Sequence, residues 1–414
     1  MFLLTLVSLA LLIPTATTKN CRNQSSIAQS LADAHIPGTA IVVVNATDIL
    51  YQQAFGYQTF SASRPINVTK SIFTLASVSK TFIAVAIMQL VELNLVDLDT
   101  DINHYLLSTD PRIFHPLYPS HAITLRQLLS HSASIDKNGE MPFASLKPGD
   151  SALTETALAD RCFTYLNPNA SNWLLQPPGT VSLYSNIGAS LSALIVERVM
   201  QMPYERYVRE KILNPLGIKI GEAGFRLSDI HNKEALVEHY AFNTSYLEEW
   251  RQQLPQLNVT QSSVSDWLHI PFFSIQDYPS GLMRMSAMSL SLFLRMFMNN
   301  GSSILHPRSI IEMRTSVDGV IPYQNPNSPS NQSPLPPFRY GLIWNWQTMP
   351  NGRQLVGHSG EMPGATNLMV TNENGTVGII FLSNTDVMIS NGSSMKFFDT
   401  LISILMSLFD CFEN

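Results

Sequence analysis

Ser77-Val78-Ser79-Lys80, running on into Thr81-Phe82-Ile83-Ala84-Val85-Ala86-Ile87-Met88, is the stretch on which the fold turns. An S-x-x-K tetrad at the mouth of an apolar helix sets Ser77 and Lys80 on one face, about one turn apart at about 3.6 residues per turn. A serine hydroxyl alone is a weak nucleophile, and an amine one turn away is a base within its reach. The helix dipole at that first turn favours the anion that forms during attack. The chain spells the tetrad twice more, as Ser134-Ile135-Asp136-Lys137 and Ser393-Ser394-Met395-Lys396. The first runs into Asn138-Gly139, a turn signal, and the second follows Asn391-Gly392, in a surface glycosylation sequon. Only the copy at Ser77 is therefore expected to open a long apolar helix, Phe82 through Leu93.

The chain around it has 414 residues, of which 45% are hydrophobic and 14% charged. That suffices for a large core and favours two lobes over one. Net charge is −6 and no Lys/Arg run stands out, which argues against nucleic acid as a partner. Phe2 to Ile13 is almost wholly apolar, and small residues follow it. The run is too short to span a bilayer and reads as a signal peptide over residues 1–18, although its first residues carry no positive charge. No stable membrane span is expected. Sequons at Asn23, Asn45, Asn67, Asn169, Asn243, Asn258, Asn300, Asn331, Asn374 and Asn391 fit a secreted, N-glycosylated eukaryotic protein. Three cysteines exist. Cys21 and Cys411 pair if the two ends of the chain pack side by side, leaving Cys162 over; three free thiols is the other reading. No Cys/His cluster has metal-ligand spacing, so neither a metal nor a cofactor is expected.

Strand patterns lie at both ends: Thr39 to Val44 with a hairpin partner through Tyr57, then Tyr340 to Trp346, Gln354 to His358, Ala365 to Val370 and Val377 to Leu382. Helical patterns fill the middle, clearest at Ala189 to Met200, read as amphipathic, and at Ser286 to Met298. A terminal helix runs from Lys396 to Phe409. Pro322 to Pro337 reads as an exposed loop. The prediction is an α+β fold: an antiparallel β-sheet flanked by helices, made from residues 19–100 and 305–414, and interrupted by a mostly helical insertion over 101–304.

Two further segments narrow the chemistry. Tyr184-Ser185-Asn186 precedes an apolar helix, whereas the other Y-x-N spellings, at Tyr165 and Tyr323, are followed by Pro and read as loops. His358-Ser359-Gly360 is the one H-x-G in the chain and lies in a strand pattern. S-V-S-K, Y-S-N and H-S-G, in this order and at these intervals, resemble the serine β-lactamase / penicillin-binding-protein family in its class C and esterase-like branch. The resemblance runs from about Ile36 to the terminal helix. It takes in Phe73-Thr74-Leu75-Ala76 and Thr124-Leu125-Arg126-Gln127-Leu128-Leu129-Ser130-His131.

That resemblance implies the β-lactamase/transpeptidase-like fold and an acyl-enzyme on Ser77. Lys80, desolvated among apolar residues, accepts the serine proton. Tyr184 is implied as the second base, and Asn186 as a hydrogen-bond partner of Lys80 and of the substrate amide. The backbone N–H groups of Ser77 and Glu361, next after Gly360, are implied as the oxyanion hole. His358 stands where many relatives carry lysine; it binds substrate, orients Tyr184, or satisfies a backbone carbonyl. His131 is read as holding a helix end. The chain departs from the family phrases at Ser132-Ala133-Ser134, where Ser-Gly is usual, and at Ser280-Gly281, where Gly-Gly is common. Met285-Ser286-Ala287-Met288 lacks the usual acidic residue. The expected partner is a small molecule or a short peptide, hydrolysed at an amide, ester or β-lactam-like carbonyl. The alternative is a catalytically silent binding or scaffolding protein with the same pocket. Oligomeric state is left open.

Overall fold

The computed structural model describes residues 21–136, 143–170, 172–324, 338–389 and 393–413. The leader reading at 1–18, the turn at Asn138-Gly139, most of the loop from Pro322 to Pro337, and the sequons at Asn331 and Asn391 lie outside the described residues. Among the described residues no helix is long and apolar enough to cross a membrane.

An eight-stranded sheet organises the molecule. Its strands are β1 (Gly38–Val44), β2 (Ile49–Thr59), β3 (Arg64–Pro65), β4 (Arg339–Tyr340), β5 (Asn345–Thr348), β6 (Gln354–Met362), β7 (Ala365–Asn372) and β8 (Gly378–Ser383). Their order is β4-β5-β6-β7-β8-β1-β2-β3, and every neighbouring pair is antiparallel. Strand β1 therefore pairs with β8, so the first and last strands of the chain meet at the centre of the sheet.

That central placement explains why β1 reads as an unbroken apolar run. Ala40, Val42 and Val44 face the larger core, while Ile41 and Val43 face a second one. A strand buried on both faces has no polar side to alternate with. The second core is covered by α1 (Gln24–Asp33), through Ile27 and Leu31, and by the terminal helix, through Phe397, Leu401, Ile404 and Phe409. Cys21 and Cys411 are joined there in a disulfide, at a Cα–Cα distance of 5.2 Å, and Cys162 is a buried free thiol.

The larger core holds α2 (Lys80–Glu92), α3 (Leu125–Leu129), α4 (Leu158–Tyr165), α5 (Asn186–Met200) and α6 (Ala287–Met298). Helix α6 lies within the 101–304 stretch and packs on the sheet: a Cβ at Gly378 would meet Met298 and Leu294 on one side and Val44 on the other. Ser286 caps α6 by accepting from Ser289 N–H at 3.0 Å, a hydroxyl serving where the family phrase has an acid.

Four readings change on contact with the structure. Helix α5 is not amphipathic, since Ile187 through Val196 are all buried; an apolar helix enclosed on every side shows no polar face. The run Tyr340 to Trp346 is broken between β4 and β5, where Ile343 takes φ 70. Tyr165 ends α4 instead of lying in a loop, and its hydroxyl donates to Asp136 O at 2.9 Å. The terminal helix, α7 (Ser393–Phe412), begins three residues early, so the third S-x-x-K also opens a long apolar helix. Burial tells the two apart, because Lys396 is exposed and Lys80 is fully enclosed. The 101–304 stretch also carries strands, His239–Phe242 and Thr260–Gln261 on either side of Trp267–Ile270.

Candidate active site

Ser77 lies on a one-turn 3-10 segment, Ala76–Ser79, that feeds directly into α2. The turn is pinned from both ends. Ser79 Oγ donates to Ala76 O at 2.6 Å and accepts from Met283 N–H at 3.0 Å, while Leu75 N–H donates to Met283 O at 2.8 Å. Ala76 adopts φ 50, a left-handed backbone that a residue with a Cβ rarely takes. Strain of this kind persists only where the surroundings hold it, and it collects at functional turns.

Lys80, the first residue of α2, is fully buried, and its Nζ donates to Ser77 Oγ at 3.1 Å. A second hydrogen bond runs from Nζ to Ser280 O at 2.8 Å. The sequence reading did not anticipate this carbonyl, because a backbone acceptor leaves no mark in residue type. It belongs to the 3-10 turn Tyr278–Ser280, which starts from Asp277. Asp277 is held in a two-pronged ion pair with Arg161 of α4, at 2.9 and 3.3 Å. Burial pushes the Asp277 carboxyl up and the Arg161 guanidinium opposes it. The Ala76–Ser79 and Tyr278–Ser280 turns thus meet at one ammonium group, and α4 braces the second turn through Asp277.

Tyr184 precedes Ser185, the cap of α5, and its ring lies 5.0 Å from Lys80 Nζ. The rings of His131 and His358 flank it, with centroids at 4.5 and 6.0 Å. Asn186, half-buried, is the first residue of α5. His358 stands on β6, enclosed, with Nδ1 bonded to Ser359 O. A carbonyl only accepts, so Nδ1 carries the proton and Nε2 presents a lone pair. Burial, helped by the nearby Lys80 charge, lowers the His358 pKa to about 3. The ring is therefore neutral at pH 7.

Gly360 explains how the third motif reaches the first. A Cβ there would stand 2.4 Å from Leu75 O and 2.9 Å from Ser77 N, so only glycine lets β6 approach the serine turn this closely. Glu361 follows, half-buried, with its carboxyl pushed up by burial. Strand β5 pairs with β6 only as far as Asn345 opposite Gly357. Beyond that point the outer edge of β6, residues 358–362, borders the Ser77 turn. The site thus joins Ser77, Lys80, Tyr184, His358 and Gly360 by contact, with Glu361 directly after Gly360 and Asn186 two residues after Tyr184.

A cleft of about 510 Å³ lined by Ser130, Ser182, Tyr340 and Trp346 opens beside this group. A larger cavity, about 650 Å³, is lined by Leu50, Arg353, Glu373 and Phe412, of which Leu50 and Phe412 pack against the second core. One departure from the family phrases also has a structural reason. Ser134, where glycine is usual, takes φ 60 and donates its hydroxyl to Gln176 O. A left-handed backbone favours glycine, and here Ser134 adopts it.

The family model for beta-lactamases matches residues 23–401. Over 366 residues the chain is 23% identical to penicillin-binding protein 4* of Bacillus subtilis (strain 168), covering 88% of this chain and 71% of that protein. It is 22% identical over 364 residues to protein flp of Staphylococcus aureus (strain MW2), covering 86% of this chain and 61% of that protein. The chain therefore spans less than two thirds of the latter's length. Among solved structures, D-amino acid amidase from Ochrobactrum anthropi SV3 complexed with L-phenylalanine superposes with a TM-score of 0.69 at 19% identity, over 94% of this chain and 99% of that one. The octameric penicillin-binding protein homologue from Pyrococcus abyssi gives 0.67 at 22%, over 92% and 76%.

Proposed function

The chain belongs to the beta-lactamase family, and from that premise we propose that it is a serine hydrolase working through an acyl-enzyme on Ser77. The observation that carries this reading is the 3.1 Å hydrogen bond between Lys80 Nζ and Ser77 Oγ, made by a lysine with no access to solvent. In its neutral form that amine accepts the serine proton as Oγ attacks the carbonyl carbon. Tyr184, 5.0 Å from the same nitrogen at its ring, relays the proton to the leaving group and then activates the water that releases the acyl group. Backbone N–H groups of Ser77 and Glu361 receive the oxyanion.

The unpaired edge of β6 beyond Gly357 suits an extended substrate that adds alongside it through backbone hydrogen bonds. His358 bears on the choice of substrate. A neutral imidazole supplies no cation to hold a substrate carboxylate, so an uncharged amide or ester is favoured over a free-acid β-lactam or peptide. The amidase and penicillin-binding relatives fit carbonyl chemistry of this class.

A fluorophosphonate probe tests the nucleophile. Wild type is expected to label and Ser77→Ala is not; wild type that never labels would leave a silent binding protein as the better reading. Kinetics on a short-chain ester, a D-amino acid amide and a chromogenic cephalosporin then rank the substrates. The same reading sends the chain through the secretory pathway, supported by the Cys21–Cys411 disulfide. Its check is recovery of the protein, oxidised at this pair, from the medium of expressing cells.

A further inference from the structure

We infer that His131 is a positioning residue for Tyr184, gripping the chain on both sides of the phenol as well as its face. The inference rests on the acyl-enzyme reading only for what Tyr184 does, and not for how it is held.

Three contacts carry it. The carbonyl of His131 accepts from Leu183 N–H at 2.9 Å, one residue before Tyr184. Its Nδ1 accepts from Ser185 N–H at 3.2 Å, one residue after. Its ring lies against the Tyr184 ring with centroids 4.5 Å apart. One residue thus sets the backbone before Tyr184, the backbone after it and the plane of the ring, leaving the phenol little freedom to swing. Tyr340 supports His131 from the other side, edge-on at 4.9 Å.

The backbone of His131 shows that this arrangement has a cost. It stands just past α3, with φ 57, at a position where helices ordinarily end in glycine because a Cβ is disfavoured there. Glycine would serve the helix end with less strain, but it brings neither acceptor nor ring. The accepting role of Nδ1 also fixes the tautomer: Nε2 carries the hydrogen, and the imidazole must stay neutral to keep its bond to Ser185. Burial, with the charge of Lys80 close by, holds the ring well below its ordinary pKa. The groups that act on it are Lys80 and His358 from their own elements and Ser185 N–H from the cap of α5.

Two variants separate positioning from mere packing. His131→Asn places an amide oxygen where Nδ1 was and tolerates positive φ. His131→Phe keeps a ring and loses the acceptor. The expected result is a kcat for His131→Phe lower by about tenfold to a hundredfold, with KM changed by less than about twofold, and His131→Asn recovering most of that loss. A second readout does not depend on turnover. In protein carrying 13Cζ-tyrosine, the resonance that disappears in Tyr184→Phe is expected to shift in His131→Phe and to return near its place in His131→Asn. A Tyr184 resonance unmoved in His131→Phe overturns the inference, as does an equal loss of kcat in both variants that follows their melting temperatures. If wild type neither labels with fluorophosphonate nor turns over any substrate, the proposed function fails, and the tyrosine resonance still decides whether His131 positions Tyr184.

Discussion

Asp386 shows how a single buried side chain contributes to the response of this protein to pH. Its carboxylate is buried and accepts from the N–H groups of Met388 and Ile389, both at 3.0 Å. Burial outweighs those bonds and raises its pKa to about 6, with a smaller push from Glu361. A folded pKa above the unfolded value means the folded state binds the proton more tightly. The resulting stability is fully present below about pH 4 and is lost as pH rises through about 6. Two pKa units correspond to at most about 3 kcal/mol. Asp386→Asn keeps an oxygen for the two N–H groups and removes the buried charge. It is expected to raise the denaturant midpoint at pH 7.5 by about 1–3 kcal/mol in stability, and to leave it nearly unchanged at pH 3.5. A variant whose midpoint follows wild type at both pH values would sink this account.

Between elements, the decisive contact is β6 against the serine turn. Gly360→Ala adds one methyl group, and the atoms it meets are backbone, Leu75 O and Ser77 N, which cannot rotate away. The strand must retreat or the turn must shift. Overpacking of this kind costs about 1–3 kcal/mol, and a displacement of the nucleophile by a fraction of an ångström to an ångström slows chemistry by up to about a hundredfold. Fluorophosphonate labelling of Gly360→Ala is therefore expected to be slower by at least about tenfold, with a lower melting temperature. Labelling at the wild-type rate would show that β6 has room at this point. The three motifs could be read from the sequence because each is a short pattern on its own element. Ser280 O and the Arg161–Asp277 pair could not, because they act on Lys80 from positions 200, 81 and 197 residues away, and nothing local marks them.

Over the whole molecule, the sheet divides the interior into two cores with different duties. The helices around Ser77 fill the larger one, while α1 and α7 cover the opposite face, where the Cys21–Cys411 disulfide ties residues 390 apart. A cross-link over so long a loop restricts the unfolded chain strongly, by about 6 kcal/mol of chain entropy. The double variant Cys21→Ser/Cys411→Ser is expected to melt several degrees below wild type. Its kcat should stay within about twofold, because the staple and the nucleophile lie on opposite faces of the sheet and such distant sites act nearly independently. A large fall in kcat at a temperature where the variant is folded would mean that the two faces are coupled.

By itself the sequence determined the chemistry on offer and the class of fold. Ser77 and Lys80 share a helix face by period alone, the strand patterns at both ends with helices between them point to a sheet interrupted by a helical insertion, and Tyr184 and His358 stand in motifs whose order is a property of the chain. Tertiary structure alone decided that Lys80 is enclosed while Lys396 is exposed, that the two ends of the chain meet in a disulfide, and that His358 is neutral. It also turned His131 from the residue at the end of α3 into one that holds Tyr184 from both sides. The physical reason is common to all of these. Period and motif are local properties, whereas burial, charge state and hydrogen-bond partners depend on what the rest of the chain brings within a few ångströms.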